Sequence, residues 1–166
     1  EYAPDDDYAK ILKVEDIDDP KPKADEVIFT NKASALNYND IWGMRGVPIP
    51  VPLPHVSGSD VAGDVIAVGE DVKGFKVGDR AVFHSNLACR VCEMCTSGRE
   101  FDCAKRQVWG FQTGNLEGAY SEQIHLPEVN VSKIPEGVSY DEASAESMTS
   151  LTSWHMLVGR AKIRPG

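Results

Sequence analysis

From Asp25 to Asn37 the chain reads DEVIFTNKASALN, in which apolar and polar residues roughly alternate; this predicts a strand with one buried face. SDVAGDVIAVG (59–69) and DRAVFHS (79–85) repeat the pattern, separated by EDVKGFKVG (70–78). Gly74 and Gly78 in that separator are expected to supply the positive-φ positions of tight turns, so the two segments read as consecutive antiparallel strands. AYSEQIHLP (119–127) reads as a further strand. Short strands at close spacing, punctuated by glycine and proline, favour a sandwich or a partly open barrel over a doubly wound sheet. The expected fold class is therefore mainly β.

Near the end the period changes. Met148, Leu151, Trp154 and Val158 recur every three to four residues, as on the apolar stripe of a helix. Ser139 followed by Glu142 fits a capping box and Gly159 lies where such a helix stops, which predicts a helix over 139–160. DDPKPKADE (18–26) and the proline-rich VPIPVPLPH (47–55) read as linker-like segments.

At 166 residues, 42% hydrophobic and 26% charged, the chain suits one well-buried domain spanning 1–166. A net charge of −9 repels a phosphate backbone, and no stretch interleaves basic with aromatic residues, which argues against a nucleic-acid partner. No apolar run reaches the roughly 18 residues needed to span a bilayer, so no membrane partner is expected. The opening EYAPDDDYAK is too acidic for a secretory or transit peptide, and the expected compartment is the cytoplasm. The chain opens without methionine and stops at KIRPG, a turn signal typical of the middle of a protein, so it reads as part of a longer one.

All four cysteines fall in CRVCEMCTSGREFDC, spaced C-x2-C-x2-C-x7-C. Thiolates this close in a reducing compartment suit tetrahedral zinc held by Cys89, Cys92, Cys95 and Cys103 in a lobe over 86–106. Disulfides are the bland alternative, opposed by the compartment. An iron–sulfur run starts alike but continues x3-C-P, whereas Ala104 follows Cys103 here. Four thiolates fill the zinc shell and leave no site for water or substrate, so this metal is expected to be structural. Structural zinc contributes on the order of 10 kcal/mol in small peptides, enough to hold a lobe with few large apolar residues.

Four segments, ALNYNDIWGMRG (35–46), LPHVSGSDVAGDVIAVGEDVKGFKVGDRAV (53–82), the cysteine lobe, and 119–154, resemble the GroES-like catalytic domain of the medium-chain dehydrogenase/reductase superfamily, the zinc-type alcohol dehydrogenases among them. The resemblance implies a partly open β-barrel, a small-molecule substrate, a homo-oligomer, and a nicotinamide cofactor, NADP by family habit. It also implies a dinucleotide-binding (Rossmann) domain after a Pro-Gly like Pro165-Gly166; no G-x-G-x-x-G follows a strand in this sequence. Zinc-dependent members hold a second, catalytic zinc through Cys, His and Cys, and those positions fall on Asn37, Ser59 and Met148. Asn, Ser and Met do not supply the donors zinc favours, so a catalytic zinc is not expected.

Without that Lewis acid, an isolated carbonyl is a poor hydride acceptor, whereas a conjugated C=C spreads the developing charge over an enolate. NYNDIWG and VWGFQTG are also similar to the crotonyl-CoA carboxylase/reductase and enoyl-CoA reductase branch, which implies a reductase of an enoyl thioester (acyl-CoA) or quinone-like substrate. Carboxylating members carry Glu where Gln112 stands, which puts carboxylation in doubt, and the catalytic tyrosine of mitochondrial-type enoyl reductases falls near Val47 or Pro48. The catalytic candidates are Asn37, Tyr38, Asn39, Asp40, Ser59 and Asp60. Asn37, Asn39 and Asp40 are equally suited to capping a helix. Tyr38 suits either donation to an oxyanion or packing, and Ser59 and Asp60 read as a relic of the metal site. Phe111, Gln112 and Met148 are the substrate-binding candidates, and Thr152 the cofactor contact, with a back-bonded helical hydroxyl as its bland reading. Two rivals stand beside the reductase: a zinc-dependent alcohol dehydrogenase, and a non-enzymatic, zinc-stabilised interaction module.

Overall fold

Five strands of this chain find partners in a single antiparallel sheet, ordered β6-β1-β2-β3-β7. The computed structural model describes residues 2, 3 and 7–164; the Pro-Gly pair at the end of the sequence and part of its acidic opening lie outside the described residues. Strand β1 (Glu26–Ala33) lies inside the sheet, paired with β2 (Ala62–Val68) on one side and β6 (Gln123–Pro127) on the other. β3 (Arg80–Phe83) pairs with β2, and β7 (Val131–Lys133) with β3. A two-stranded ribbon, β4 (Asn86–Leu87) with β5 (Gln107–Val108), stands apart.

The two outermost strands of the sheet, β6 and β7, are consecutive in the chain and joined only by Glu128–Asn130. Three residues span at most about 10 Å, so the sheet must roll until its edges approach. It stays unpaired along that seam, which makes it the open, barrel-like sheet of a mainly β domain. Side chains alternating along β1 and β6 fill the interior: Val27 sits opposite Leu126, and Phe29 opposite Ile124. Trp109 closes one end, edge-on to Phe83 with ring centroids 5.1 Å apart. The expected one-sided burial of the first strand holds only in its outer half. Glu26 and Ile28 are buried as well as Val27 and Phe29, and helix α3 (Tyr140–Trp154) packs across β1, β2 and β3.

Gly78 adopts φ of +91° in the turn before β3, as expected. Gly74 does not take positive φ; its part is to present an N–H to the Glu128 carboxylate. Helix α3 begins at Ser139, whose Oγ accepts from the Glu142 N–H while the Glu142 carboxylate accepts from the Ser139 N–H at 2.8 Å, a reciprocal capping box. A π-helical segment, His155–Arg160, continues it, so Gly159 lies inside a helical turn and Lys162 is the left-handed residue beyond. The helix meets the sheet through small polar groups rather than its apolar stripe: Ser144 is buried and Ser147 Oγ donates to the Phe83 carbonyl, whereas Trp154 and Val158 are exposed. No described helix is long and apolar enough to cross a membrane.

Candidate active site and metal centre

The β4–β5 ribbon forms the neck of the cysteine lobe. Within it a short helix, α2 (Glu93–Thr96), turns Cys95 inward, and Arg90, at φ of +61°, bends the chain between Cys89 and Cys92. Between the two ribbon strands only Cys95 and Cys103 are buried, so the inside of the lobe is sulfur rather than hydrocarbon. All four Sγ atoms lie within 4.8 Å of one another. The Cys92–Cys95, Cys89–Cys103, Cys89–Cys95 and Cys92–Cys103 pairs are separated by 3.5, 3.6, 3.8 and 3.9 Å. A tetrahedron with Zn–S bonds of about 2.3 Å has S···S edges of about 3.8 Å, whereas a disulfide requires sulfurs about 2.05 Å apart. The cluster therefore fits zinc. N–H groups of Val91 and Cys92 pull the Cys89 thiol down to about 6, whereas burial pushes Cys95 up to about 12. A dication is the agent that would hold both as thiolates.

The second cluster is built on helix α1 (Tyr38–Arg45) and the Gly58–Asp60 turn before β2. Asp40, at the third helical position, accepts the Asn37 N–H at 2.8 Å and completes the N-terminal cap. Asp60, wholly buried, accepts from Asn37 Nδ2 at 2.7 Å and from the Met148 N–H of α3 at 3.0 Å. Asn37 is thus gripped twice, its backbone by one carboxylate and its side chain by the other. Ser59, also wholly buried, accepts from Asn39 Nδ2 at 2.8 Å, which leaves Asn39 Oδ1 buried with no protein partner. Burial raises both carboxyl groups above the ordinary range, against the hydrogen bonds each accepts.

Two further residues converge on this cluster without any advance signal. His55 Nε2 lies 3.0 Å from the Gly110 carbonyl, which can only accept, so Nε2 carries the proton and the buried Nδ1 is a lone pair without a partner. Burial lowers the His55 pKa, keeping the ring neutral. Tyr120 donates its phenol to Asp40 Oδ2 at 2.8 Å. Tyr120 comes from a loop 80 residues beyond Asp40, His55 from the proline-rich loop that follows α1, and neither stands in a ligand-like spacing.

A sequence model of the alcohol dehydrogenase GroES-like domain matches residues 23–136. The chain belongs to that family. A crotonyl-CoA carboxylase/reductase of Cereibacter sphaeroides is 31% identical over 93% of this chain and 37% of its own length. A crystal structure of an NAD-dependent alcohol dehydrogenase is 41% identical with a TM-score of 0.88, covering 95% of this chain and 45% of that one. The cobalt- and zinc-bound thermostable alcohol dehydrogenase of Pyrobaculum aerophilum is 30% identical with a TM-score of 0.84, covering 95% and 46%. The chain thus spans less than half the length of these medium-chain dehydrogenase/reductase relatives.

Within this GroES-like domain the remaining candidates divide. Phe111 is buried, and a β-carbon on Gly43 of α1 would lie 3.8 Å from its ring, so it backs the cluster. Gln112 turns away: its Oε1 accepts the Val108 N–H at 2.9 Å within its own loop. Met148 joins the cluster through its backbone. Thr152 Oγ1 donates to the Met148 carbonyl at 2.8 Å, the back-bonded arrangement. Tyr38 is exposed and stands edge-on to Trp42, with ring centroids 5.5 Å apart.

Proposed function

We propose that the chain is the catalytic-domain portion of an NAD(P)H-dependent reductase without a catalytic zinc, acting on the C=C of an enoyl thioester or a quinone-like acceptor. The observation that carries this reading is the state of the three positions on which the catalytic zinc ligands of relatives fall. Asn37 and Met148 are tied to Asp60, and Ser59 to Asn39, by hydrogen bonds. An amide, a hydroxyl and a thioether make a poor zinc shell, and the Asn37 amide and the Ser59 hydroxyl already take part in hydrogen bonds to Asp60 and Asn39. The Cys89, Cys92, Cys95 and Cys103 set would hold the structural zinc, with no open position for chemistry.

The nicotinamide cofactor supplies the hydride when bound. The family resemblance assigns the nicotinamide contact of this domain to Thr152, whose hydroxyl would have to leave the Met148 carbonyl. Asn37, held by Asp40 and Asp60, and the hydrogen-bonded Asn39–Ser59 pair would form a polar floor, and Tyr38 offers a phenol at its exposed rim. Phe111 and Met148 form the apolar side. The developing enolate needs only hydrogen bonds from such a floor, because its charge is delocalised. Gln112, folded back on its loop, is assigned to the substrate region by its position and would have to turn to reach a ligand.

The test is an assay of the full-length protein with NADPH against crotonyl-CoA, acryloyl-CoA, a quinone and a simple aldehyde, together with metal analysis. Turnover of the first three with one zinc per chain is expected. Turnover of the aldehyde alone, with two zincs per chain, would establish the second reading, an alcohol dehydrogenase, which the 41% identity to one such enzyme favours. Full-length protein that binds no nicotinamide would point to an interaction module.

A further inference from the structure

Segment 118–120, just before β6, is strapped onto the turn that carries Ser59 and Asp60. The Tyr120 N–H donates to the Ser57 carbonyl and the Ala119 N–H to the Gly58 carbonyl, each at 2.9 Å. The approach is possible only because glycines face it. A β-carbon at Gly118 would lie 1.9 Å from the Val56 carbonyl oxygen, and one at Gly58, where φ is +103°, would press on the Tyr120 ring at 3.0 Å. The ring thus lies flush on the turn, with its hydroxyl 2.8 Å from Asp40 Oδ2. The same carboxylate accepts the Asn37 N–H at 2.8 Å and, through Oδ1, the Gly58 N–H at 3.2 Å. One buried side chain therefore joins three segments that lie 18 and 80 residues from it or abut its own helix cap.

We infer that Tyr120, acting through Asp40, is a positioning residue of this active site: its hydroxyl locks the carboxylate that orients Asn37 and the Gly58–Ser59 turn toward the substrate. The inference rests on the reductase reading and adds to it a residue that is not among the sequence-predicted site residues. Tyr120 is not itself the proton source. Burial and the adjoining Asp40 charge hold its phenol far above its ordinary range, so it donates a hydrogen bond and keeps its proton. Asp40 accepts all three bonds best when ionised, because protonation turns one of its oxygens into a donor. The titratable groups facing it are Tyr120, His55 and Asp60. The Tyr120 hydroxyl favours the ionised form, so its removal moves the Asp40 titration upward.

The experiment compares full-length wild type, Tyr120→Phe, Asp40→Asn and the double variant. Tyr120→Phe is expected to lower kcat about tenfold with KM changed less than about twofold, and to move the acid limb of the kcat/KM profile to higher pH. In the Asp40→Asn background the same change should cost nothing further, since its route is gone. Additive losses, an unmoved acid limb, or a kcat loss accompanied by zinc loss would overturn the inference. An activity-free arm separates it from the reductase reading: in protein labelled with carboxyl-13C aspartate, one buried aspartate should titrate at higher pH in Tyr120→Phe. If that shift appears while no thioester or quinone is reduced, the substrate reading falls and the clamp stands. If the shift is absent, the clamp falls whatever the activity.

Discussion

Single carboxylates in this molecule respond oppositely to burial, and the difference is which donors surround them. Glu26 is buried on the sheet, and desolvation alone would raise its pKa. The Lys23 ammonium and backbone N–H, with His125 beside them, outweigh it and hold the group below its ordinary range. A depressed folded pKa contributes stability that is present above the unfolded pKa and lost as pH falls through the folded value. Glu26→Gln should therefore lower the thermal midpoint at pH 7, and the gap to wild type should close by about pH 3. Asp40 and Asp60 have the opposite sign: their raised folded pKa values favour folding in acid, and that contribution is lost as pH rises through them. Backbone crowding is a separate liability at this scale. A β-carbon on Gly110, where φ is +76°, would lie 1.9 Å from the Gly58 carbonyl oxygen. Gly110→Ala should cost about 2 kcal/mol or more in urea unfolding and loosen the His55 contact made by the same residue.

At the scale of elements, helices and lobes depend on different glue. Helix α3 holds its start with the Ser139–Glu142 box, so Ser139→Ala should cost about 1 kcal/mol by denaturant unfolding, with no loss of bound zinc. The cysteine lobe has no comparable hydrocarbon reserve, since Cys95 and Cys103 are its only buried side chains between the ribbon strands. Stripping the metal with a chelator should open 88–106 to limited proteolysis while the far-ultraviolet signal of the five-stranded sheet persists. The lobe also touches the π-helical segment: the Arg160 guanidinium lies 4.8 Å above the Phe101 ring, which itself packs 4.4 Å from the His155 ring. Chelation should therefore loosen the π-helical segment as well, read as faster hydrogen exchange over 155–160.

For the whole molecule, the consequential division is between a sulfur cluster whose edges fit a zinc ion and a polar cluster tied together by hydrogen bonds. The sulfur cage has tetrahedral edges and no open corner; the Asn37–Ser59–Asp60–Met148 cluster is closed by its own hydrogen bonds. Replacing Asp60 by Asn removes one of two acceptors and should uncouple Asn37 from α3; on the proposed reading this lowers kcat of the full-length protein at least tenfold without changing its zinc content.

What could be read along the chain was whatever depends on near neighbours. C-x2-C spacing brings sulfurs into one knuckle within a few residues, Ser139 meets Glu142 across one helical turn, and alternating apolar residues mark a strand wherever one face is buried. The bond of Tyr120 to Asp40, the seating of His55 on the Gly110 carbonyl, the turn of Gln112 back onto its own loop, and the exposure of the Trp154–Val158 stripe were decided only by tertiary structure. Those outcomes depend on which segments the rolled sheet brings within hydrogen-bond reach, and a bond spanning 80 residues has no local periodicity to announce it.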